Sequence, residues 1–138
     1  MTAPRRVVGL LGGSFNPAHE GHLHISLYAL GKLKLDEVWW LVSPHNPLKD
    51  KQTLADYDLR LQSARDMAVH PRLKVSDIEQ RKGLFYTYKT ISYLQRQYPR
   101  IQFVWLMGAD NLAGFHQWRN WRALAHQVPI AILDRPRN

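Results

Sequence analysis

His19 and His22 are the histidine pair whose surroundings most suggest chemistry in this sequence. Upstream lie Gly12 and Gly13, at the end of an apolar run, and a glycine lets a bulky anion approach the backbone because it carries no Cβ. A helical pattern begins near Gly21, and the first turn of a helix offers N–H groups and a positive dipole end to an anion. Imidazole donates hydrogen bonds in both protonation states, and its donation can strengthen as charge grows in a transition state. The pattern therefore predicts an anion site at the start of this helix.

The same residues also allow simpler interpretations. A glycine pair after a strand often forms a turn that binds nothing, and a histidine at a helix start is often only solvated. A His-x-x-His pair can bind a metal, but the spacing places no third ligand, so we expect no metal site. The P-loop and Gly-x-Gly-x-x-Gly motifs of the commonest nucleotide-binding folds are absent from the sequence. His24 is expected to face away from the pair, on the surface.

Composition limits the class of protein and the chemistry. The 138 residues fit one domain, and a hydrophobic content of 45% with five tryptophans favours a folded core over disorder. The sequence has no cysteine, which excludes disulfides, thiolate zinc sites and cysteine nucleophiles. No membrane helix or signal peptide is recognisable, so we expect a cytoplasmic protein without a membrane partner. The net charge of +8 favours anionic partners, but the basic residues form no stripe and we expect no nucleic-acid binding.

Strand and helix patterns alternate along the chain. Short apolar or β-branched runs predict five strands, over residues 7–11, 37–43, 73–77, 101–108 and 129–133. Helical spacing predicts four helices. The first begins near Gly21, and the second covers residues 57–69 with Asp56 as its cap. The third opens at Thr87 and ends before Pro99, and the fourth covers residues 118–127. This alternation is typical of an α/β fold, a parallel sheet with helices on both faces. In such folds ligands bind at the carboxyl ends of the strands, so the loops 12–21, 43–51, 77–87 and 108–118 should open on one edge.

The segment GGSFNPAHEGHL resembles the Gly-x-Phe-x-Pro-x-His-x-Gly-His signature of the nucleotidyltransferase superfamily with a Rossmann-like fold. Four further segments make the chain most similar to the bacterial nicotinate-nucleotide adenylyltransferases: PHNPLKD, YDLRLQSARDMA, YTYKTISYL and MGADNLAGFHQW. The resemblance implies a Rossmann-like, doubly wound parallel sheet built from the five predicted strands. It also implies transfer of AMP from ATP, bound with Mg²⁺, to nicotinate mononucleotide, which gives deamido-NAD and pyrophosphate in NAD biosynthesis. No tightly bound cofactor is implied.

The resemblance also implies roles for individual residues. The attacking 5′-phosphate is already ionised, so positioning and charge neutralisation suffice and no general base is needed. The residues implied for the ATP phosphates are His19, His22 and Lys49, with a cradle of Gly12, Gly13, Ser14 and Phe15. For the pyridine ring and its carboxylate, Trp118 and the backbone near Thr87 are implied. Asp110 would accept hydrogen bonds from a ribose, or else cap a short helix.

Several conspicuous residues have alternative explanations. Lys49 lies in a charged loop, where most lysines are only solvated. Arg60 matches a position of the family but could equally be a surface partner of a nearby acid. The four remaining tryptophans are expected to serve packing at the core or surface: Trp39, Trp40, Trp105 and Trp121.

The sequence departs from the family pattern at its end. The family continues past the fifth strand to a Ser-Thr-x-x-Arg type segment that assists ATP binding, whereas this sequence stops at LDRPRN. We therefore expect one domain, residues 1–138, without that segment, and an apolar surface near the last strand. Two other functions stay open: a nucleotide-binding domain with little turnover, and an enzyme like pantetheine-phosphate adenylyltransferase, which usually has threonine in place of His19. Assembly as a homo-oligomer also stays open.

Overall fold

The computed structural model describes residues 5–44, 55–109, 114–115 and 118–134. Its centre is a parallel sheet of five strands: β1 (Arg6–Gly13), β2 (Glu37–Val42), β3 (Leu73–Ser76), β4 (Ile101–Gly108) and β5 (Ile130–Leu133). The strand order is β3-β2-β1-β4-β5, and every neighbouring pair is parallel. The chain moves outward from β1 to β3 and then returns to β4 on the other side of β1. The order therefore reverses between β1 and β4, and the predicted Rossmann-like, doubly wound α/β sheet is confirmed.

Helices cover both faces of the sheet. They are α1 (Glu20–Lys32), α2 (Tyr57–Met67), α3 (Ile78–Lys82), α4 (Thr87–Gln97) and α5 (Trp121–Gln127). Buried side chains of α1 and α2 share one core with Trp40 and Leu106, whereas those of α4 and α5 share a second core with Phe103 and Trp105. Since successive side chains of a strand point to opposite faces, β4 contributes to both cores.

The end of β1 differs from the prediction. The strand includes the glycine pair instead of stopping before it, because Gly12 and Gly13 stay in register with Leu41 and Val42 of β2. The backbone of both glycines is therefore fixed by the sheet and does not form a separate turn.

Helix starts also differ in detail. Nothing in the sequence pattern predicts α3, a five-residue helix that ends at Gly83, where a φ of +64° leaves the helical region. Asp56 holds the predicted N-cap position of α2, but its side chain makes no cap hydrogen bond. By contrast, α4 begins at Thr87 as predicted, with Tyr86 at its N-cap position.

The edge of the sheet and the lengths of the helices bear on two sequence predictions, an apolar surface near the last strand and the lack of a membrane helix. The edge strand β5 exposes Ile132 to 42%, in the region where an apolar surface was expected. In the described part of the chain, no helix combines the length and apolarity needed to cross a bilayer.

Candidate active site

A cavity of about 290 Å³ opens at the carboxyl edge of the sheet. It lies where the strand order reverses, since its lining includes Gly13 and Gly108, the last residues of β1 and β4. The whole lining is Leu11, Gly12, Gly13, Ser14, Phe15, Asn16, Pro17, His19, His22, Ile25 and Gly108. The structure thus brings together all the residues of the β1–α1 segment that the sequence assigns to ATP.

His19 and His22 cap the first turn of α1 reciprocally. Nδ1 of His19 accepts from the backbone N–H of Gly21 at 3.0 Å, and Nδ1 of His22 accepts from the backbone N–H of His19 at 3.1 Å. A neutral imidazole has one accepting nitrogen and one that carries the proton, so both rings are held in the tautomer with Nε2–H as donor. The ring centroids are 4.0 Å apart and both rings line the cavity. Two ring donors are therefore held side by side at the cavity wall.

This capping corrects one part of the sequence interpretation. The backbone N–H groups of the first turn were expected to meet an anion directly. Instead, the N–H of Gly21 is bound by His19 Nδ1, and the N–H of His22 donates to the His19 carbonyl oxygen at 3.0 Å. The backbone N–H groups at the helix start therefore act on the cavity through the imidazole rings. A hydrogen bond accepted at Nδ1 polarises the ring and strengthens donation from its Nε2–H.

An aromatic stack supports the His22 ring. The Phe15 ring lies 4.5 Å from the His22 ring and 5.3 Å from the Trp40 ring, between centroids. The Trp40 indole N–H donates to Ser26 Oγ at 2.7 Å, and Ser26 Oγ donates to the carbonyl oxygen of His22 at 2.8 Å. Phe15 has a φ of +51°, which is unusual for a bulky residue, but its ring is buried in this stack. Trp40 therefore serves packing, as predicted.

The two cradle glycines differ in the space around them. A Cβ on Gly12 would lie 2.6 Å from the Trp105 ring, which is closer than atoms tolerate. Among the described residues, a Cβ on Gly13 would contact only Phe15, at an ordinary 3.7 Å. The missing Cβ of Gly12 therefore makes room for an indole, and the expectation that both glycines admit an anion stays a prediction.

Arg60 lies in the interior. Only 2% of the residue is exposed, and its guanidinium donates to backbone carbonyl oxygens, including that of Ser14 in the cavity wall. Within the described ranges no carboxylate lies within 4.0 Å of Arg60, so the interpretation as a surface partner of an acid is wrong. Burial lowers the pKa of Arg60, and interaction with Tyr57 opposes that effect.

The structure also brings Thr87 and Trp118 to one region. Trp118 packs edge-on against Trp105, with 6.1 Å between centroids. Arg119, which follows Trp118, contacts Tyr86, which precedes Thr87: its guanidinium carbon lies 5.2 Å from the centre of the Tyr86 ring. No sequence pattern indicates this contact, which joins the segment after β4 to the start of α4.

Two residues assigned from the sequence, Lys49 and Asp110, lie outside the described residues, so their roles stay predictions. The side chains that the structure describes contain no group of three or more His, Cys, Asp or Glu that could hold a metal ion.

Glu79 is a buried carboxyl that the sequence did not single out. It is 6% exposed and accepts a hydrogen bond from Thr90 Oγ1 at 2.7 Å, which links α3 to α4. Burial raises the pKa of Glu79 from 4.5 to about 7, although the bond from Thr90 acts in the opposite direction. Thr90 lies one turn after Thr87, so this pair supports the start of α4.

Glu79→Gln is expected to stabilise the protein at pH 8 more than at pH 5. The pKa of Glu79 is higher in the folded protein than its ordinary value, so the folded chain keeps a proton that the unfolded chain releases. Stability is therefore lost as pH rises from about 4.5 to about 7, by on the order of 3 kcal/mol. Glutamine does not titrate and escapes this loss. Urea unfolding at both pH values checks this, with the exposed Asp58→Asn as control, and an equal difference at both pH values would contradict it.

Comparisons with known proteins give the family. Residues 10–137 match the cytidylyltransferase-like family. A protein of Parvibaculum lavamentivorans named probable nicotinate-nucleotide adenylyltransferase is 55% identical over 136 residues, which cover 99% of this chain and 68% of that protein. A Ruegeria protein of the same name is 53% identical over 129 residues, which cover 94% of this chain and 68% of that protein.

A solved structure shows the same fold. The Plasmodium falciparum nicotinic acid mononucleotide adenylyltransferase complexed with NaAD has a TM-score of 0.78 and 13% identity, over 96% of this chain and 77% of that chain. The match over nearly the whole chain and the identity to the two bacterial relatives establish the family. This chain belongs to the cytidylyltransferase-like family and, within it, to the nicotinate-nucleotide adenylyltransferases, which are nucleotidyltransferases.

Proposed function

We propose that the protein transfers AMP from ATP to nicotinate mononucleotide. An oxygen of the mononucleotide 5′-phosphate attacks the α-phosphorus of ATP, the bond from that phosphorus to the bridging oxygen breaks, and pyrophosphate leaves with the electron pair. The products are deamido-NAD and pyrophosphate. The names of the two bacterial relatives and the NaAD complex of the similarly folded enzyme support this pair of substrates.

The observation that carries the proposal is the pair of imidazoles at the cavity. His19 and His22 each hold Nε2–H as donor, and the lining also includes the backbone of Gly13 and Ser14. Donors fixed in advance stabilise the negative charge that develops on the α-phosphoryl group and on the leaving pyrophosphate. We therefore assign His19 and His22 to the phosphates of ATP.

The chemistry requires little else from side chains. The acceptor phosphate is ionised at neutral pH, so catalysis depends on holding two phosphates in line and neutralising charge. We propose that Lys49 adds a positive charge from the loop after β2, and that Mg²⁺ enters with ATP as part of the substrate. Asp110 is proposed to bind a ribose of the acceptor.

The extent of the domain and its cellular location are also proposed. We propose one nucleotidyltransferase domain over residues 1–138, in the cytoplasm, where ATP is available. The chain covers about two thirds of the length of each bacterial relative. ATP binding should therefore be measured alongside turnover, because the matched part could bind ATP with little turnover.

The test is pyrophosphate release from ATP, with ATP affinity measured by calorimetry on the same protein. We expect release that depends on nicotinate mononucleotide. Release with pantetheine phosphate but not with nicotinate mononucleotide would contradict the proposal. ATP binding without release for any acceptor would favour the nucleotide-binding domain instead. Nicotinamide mononucleotide, as a third acceptor, measures the preference for the acid.

Trp118→Ala is expected to raise KM for nicotinate mononucleotide by about tenfold, the effect of losing one stacked aromatic platform. KM for ATP should change little, because Trp118 is not part of the cavity lining. Steady-state kinetics with each substrate varied in turn checks this. Trp121→Ala is the control, since the Phe115 ring packs against both Trp118, at 5.3 Å, and Trp121, at 6.0 Å, and Trp121 has no assigned role. Equal changes in both variants would contradict the assignment of Trp118.

A further inference from the structure

Arg60 of α2 joins the ends of two neighbouring strands. Its Nη1 donates to the carbonyl oxygens of Ser14 at 2.9 Å and Ser43 at 2.8 Å, and its Nε donates to that of Ala55 at 3.0 Å. Ser14 directly follows β1 and Ser43 directly follows β2. One guanidinium therefore bridges the carbonyl oxygens just beyond these two strand ends, at the carboxyl edge of the sheet.

The loop between β1 and α1 is held by the same helix at other points. Ser63 Oγ accepts from the backbone N–H of Ala18 at 3.1 Å. Its own hydroxyl donates to the Arg60 carbonyl oxygen at 2.9 Å, and the Phe15 carbonyl oxygen lies 3.4 Å away. The N–H of Ala55, just before α2, donates to Asn16 Oδ1 at 3.1 Å. The loop that carries the cavity wall is thus attached to α2 along its length, and Arg60 makes the charged contact.

The positive charge of Arg60 has an unusual environment. Its hydrogen-bond partners are neutral carbonyl groups, and its guanidinium carbon lies 5.2 Å from the centre of the Tyr57 ring. Among the described residues no carboxylate pairs with it. A buried charge without a counter-ion is costly, and a nearby anionic ligand reduces that cost. Through Ser14, the charge lies one peptide group behind the cavity wall.

We infer that Arg60 is a positioning residue for the ATP half of the site. It holds the Ser14 loop against the end of β2 and places a buried positive charge behind the phosphates of ATP. The inference rests on the proposed function, because ATP is the anion assigned to this loop. This role differs from a general role in stability, which would weaken the binding of ATP and of nicotinate mononucleotide alike.

The test compares three variants of α2 by calorimetry with ATP and with nicotinate mononucleotide. Arg60→Gln removes the charge, whereas Arg60→Lys keeps the charge but loses the planar fork of donors. Leu61→Ala is the matched control, because Leu61 is a buried core residue of the same helix. Circular dichroism and urea unfolding report the fold and stability of each variant.

We expect Arg60→Gln to weaken ATP binding by about tenfold, the order of effect of removing a positive charge that lies near an anion without touching it, and Arg60→Lys to weaken it less. Binding of nicotinate mononucleotide should be unchanged in both, and Leu61→Ala should keep ATP affinity despite its lower stability. ATP affinity of Arg60→Gln equal to that of Leu61→Ala would overturn the inference. Affinities for ATP and mononucleotide that fall together would also overturn it.

Two further results keep the test decisive. If Arg60→Gln does not fold, Arg60→Lys decides: weaker ATP binding with unchanged mononucleotide binding supports the inference, and unchanged ATP binding contradicts it. If the unaltered protein binds ATP but transfers no AMP to nicotinate mononucleotide, the proposed function fails while the comparison of ATP affinities still decides the role of Arg60.

Discussion

Replacing His22 by alanine is expected to lower kcat for AMP transfer by about 10²- to 10³-fold, the loss typical of removing one preorganised donor. The ring is held with Nε2–H as donor, because its Nδ1 accepts from the His19 N–H at 3.1 Å. Alanine removes that donor from the place assigned to the ATP phosphates. KM for nicotinate mononucleotide should change much less. Steady-state kinetics measures both quantities.

Loss of helix capping cannot account for an effect of this size. A cap contributes about 1 kcal/mol of stability, and urea unfolding measures how much His22→Ala loses. His24→Ala, an exposed residue of α1, is the control that should keep kcat. His19→Asn separates the two roles, because asparagine caps helices well but lacks the Nε2–H donor. Unchanged kcat in both His22→Ala and His19→Asn would rule out the assignment to ATP.

The second large effect is expected from Gly12→Ala. The new Cβ would lie 2.6 Å from the Trp105 ring, and the backbone cannot yield easily because it is paired with β2 at Leu41. The indole must therefore move, and overpacking of this kind costs about 1 to 3 kcal/mol. Since Trp105 packs against Trp118 at 6.1 Å, KM for nicotinate mononucleotide should rise as well. Urea unfolding and acceptor kinetics measure the two effects.

Gly13→Ala is the matched control for stability. Its Cβ would meet Phe15 at 3.7 Å, an ordinary contact, so the free energy of unfolding should stay close to that of the unaltered protein. Gly13 lines the cavity, so ATP affinity should fall instead. If the two glycine variants are equally destabilised, the account of Gly12 is wrong.

The strands and the cavity edge were predictable because their signals are local. Apolar runs bounded by glycine and proline mark the strands, and alternation with helices implies parallel pairing. The segment from Gly12 to His22 is contiguous in sequence, so its residues reach the same cavity once β1 and α1 form. Lys49 and Asp110 lie outside the described residues, and their assignments still depend on resemblance alone.

Contacts between distant segments were not predictable. The role of Gly12 depends on Trp105, which lies in a different strand. The burial of Arg60 depends on where two strand ends place their carbonyl groups. Glu79 is a buried acid whose hydrogen-bond donor, Thr90, comes from a different helix. Nothing in the local pattern of an arginine, a glutamate or a glycine indicates such partners.

The most direct test of the account is the state of the histidine ring nitrogens when ATP binds. In ¹⁵N-labelled protein, long-range ¹H–¹⁵N spectra distinguish Nδ1 from Nε2 in each imidazole. We expect the Nε2 resonances of His19 and His22 to shift on addition of ATP, while their Nδ1 atoms remain acceptors and His24 is unaffected. Unchanged Nε2 resonances at saturating ATP would contradict the claim that the paired imidazoles hold the ATP phosphates.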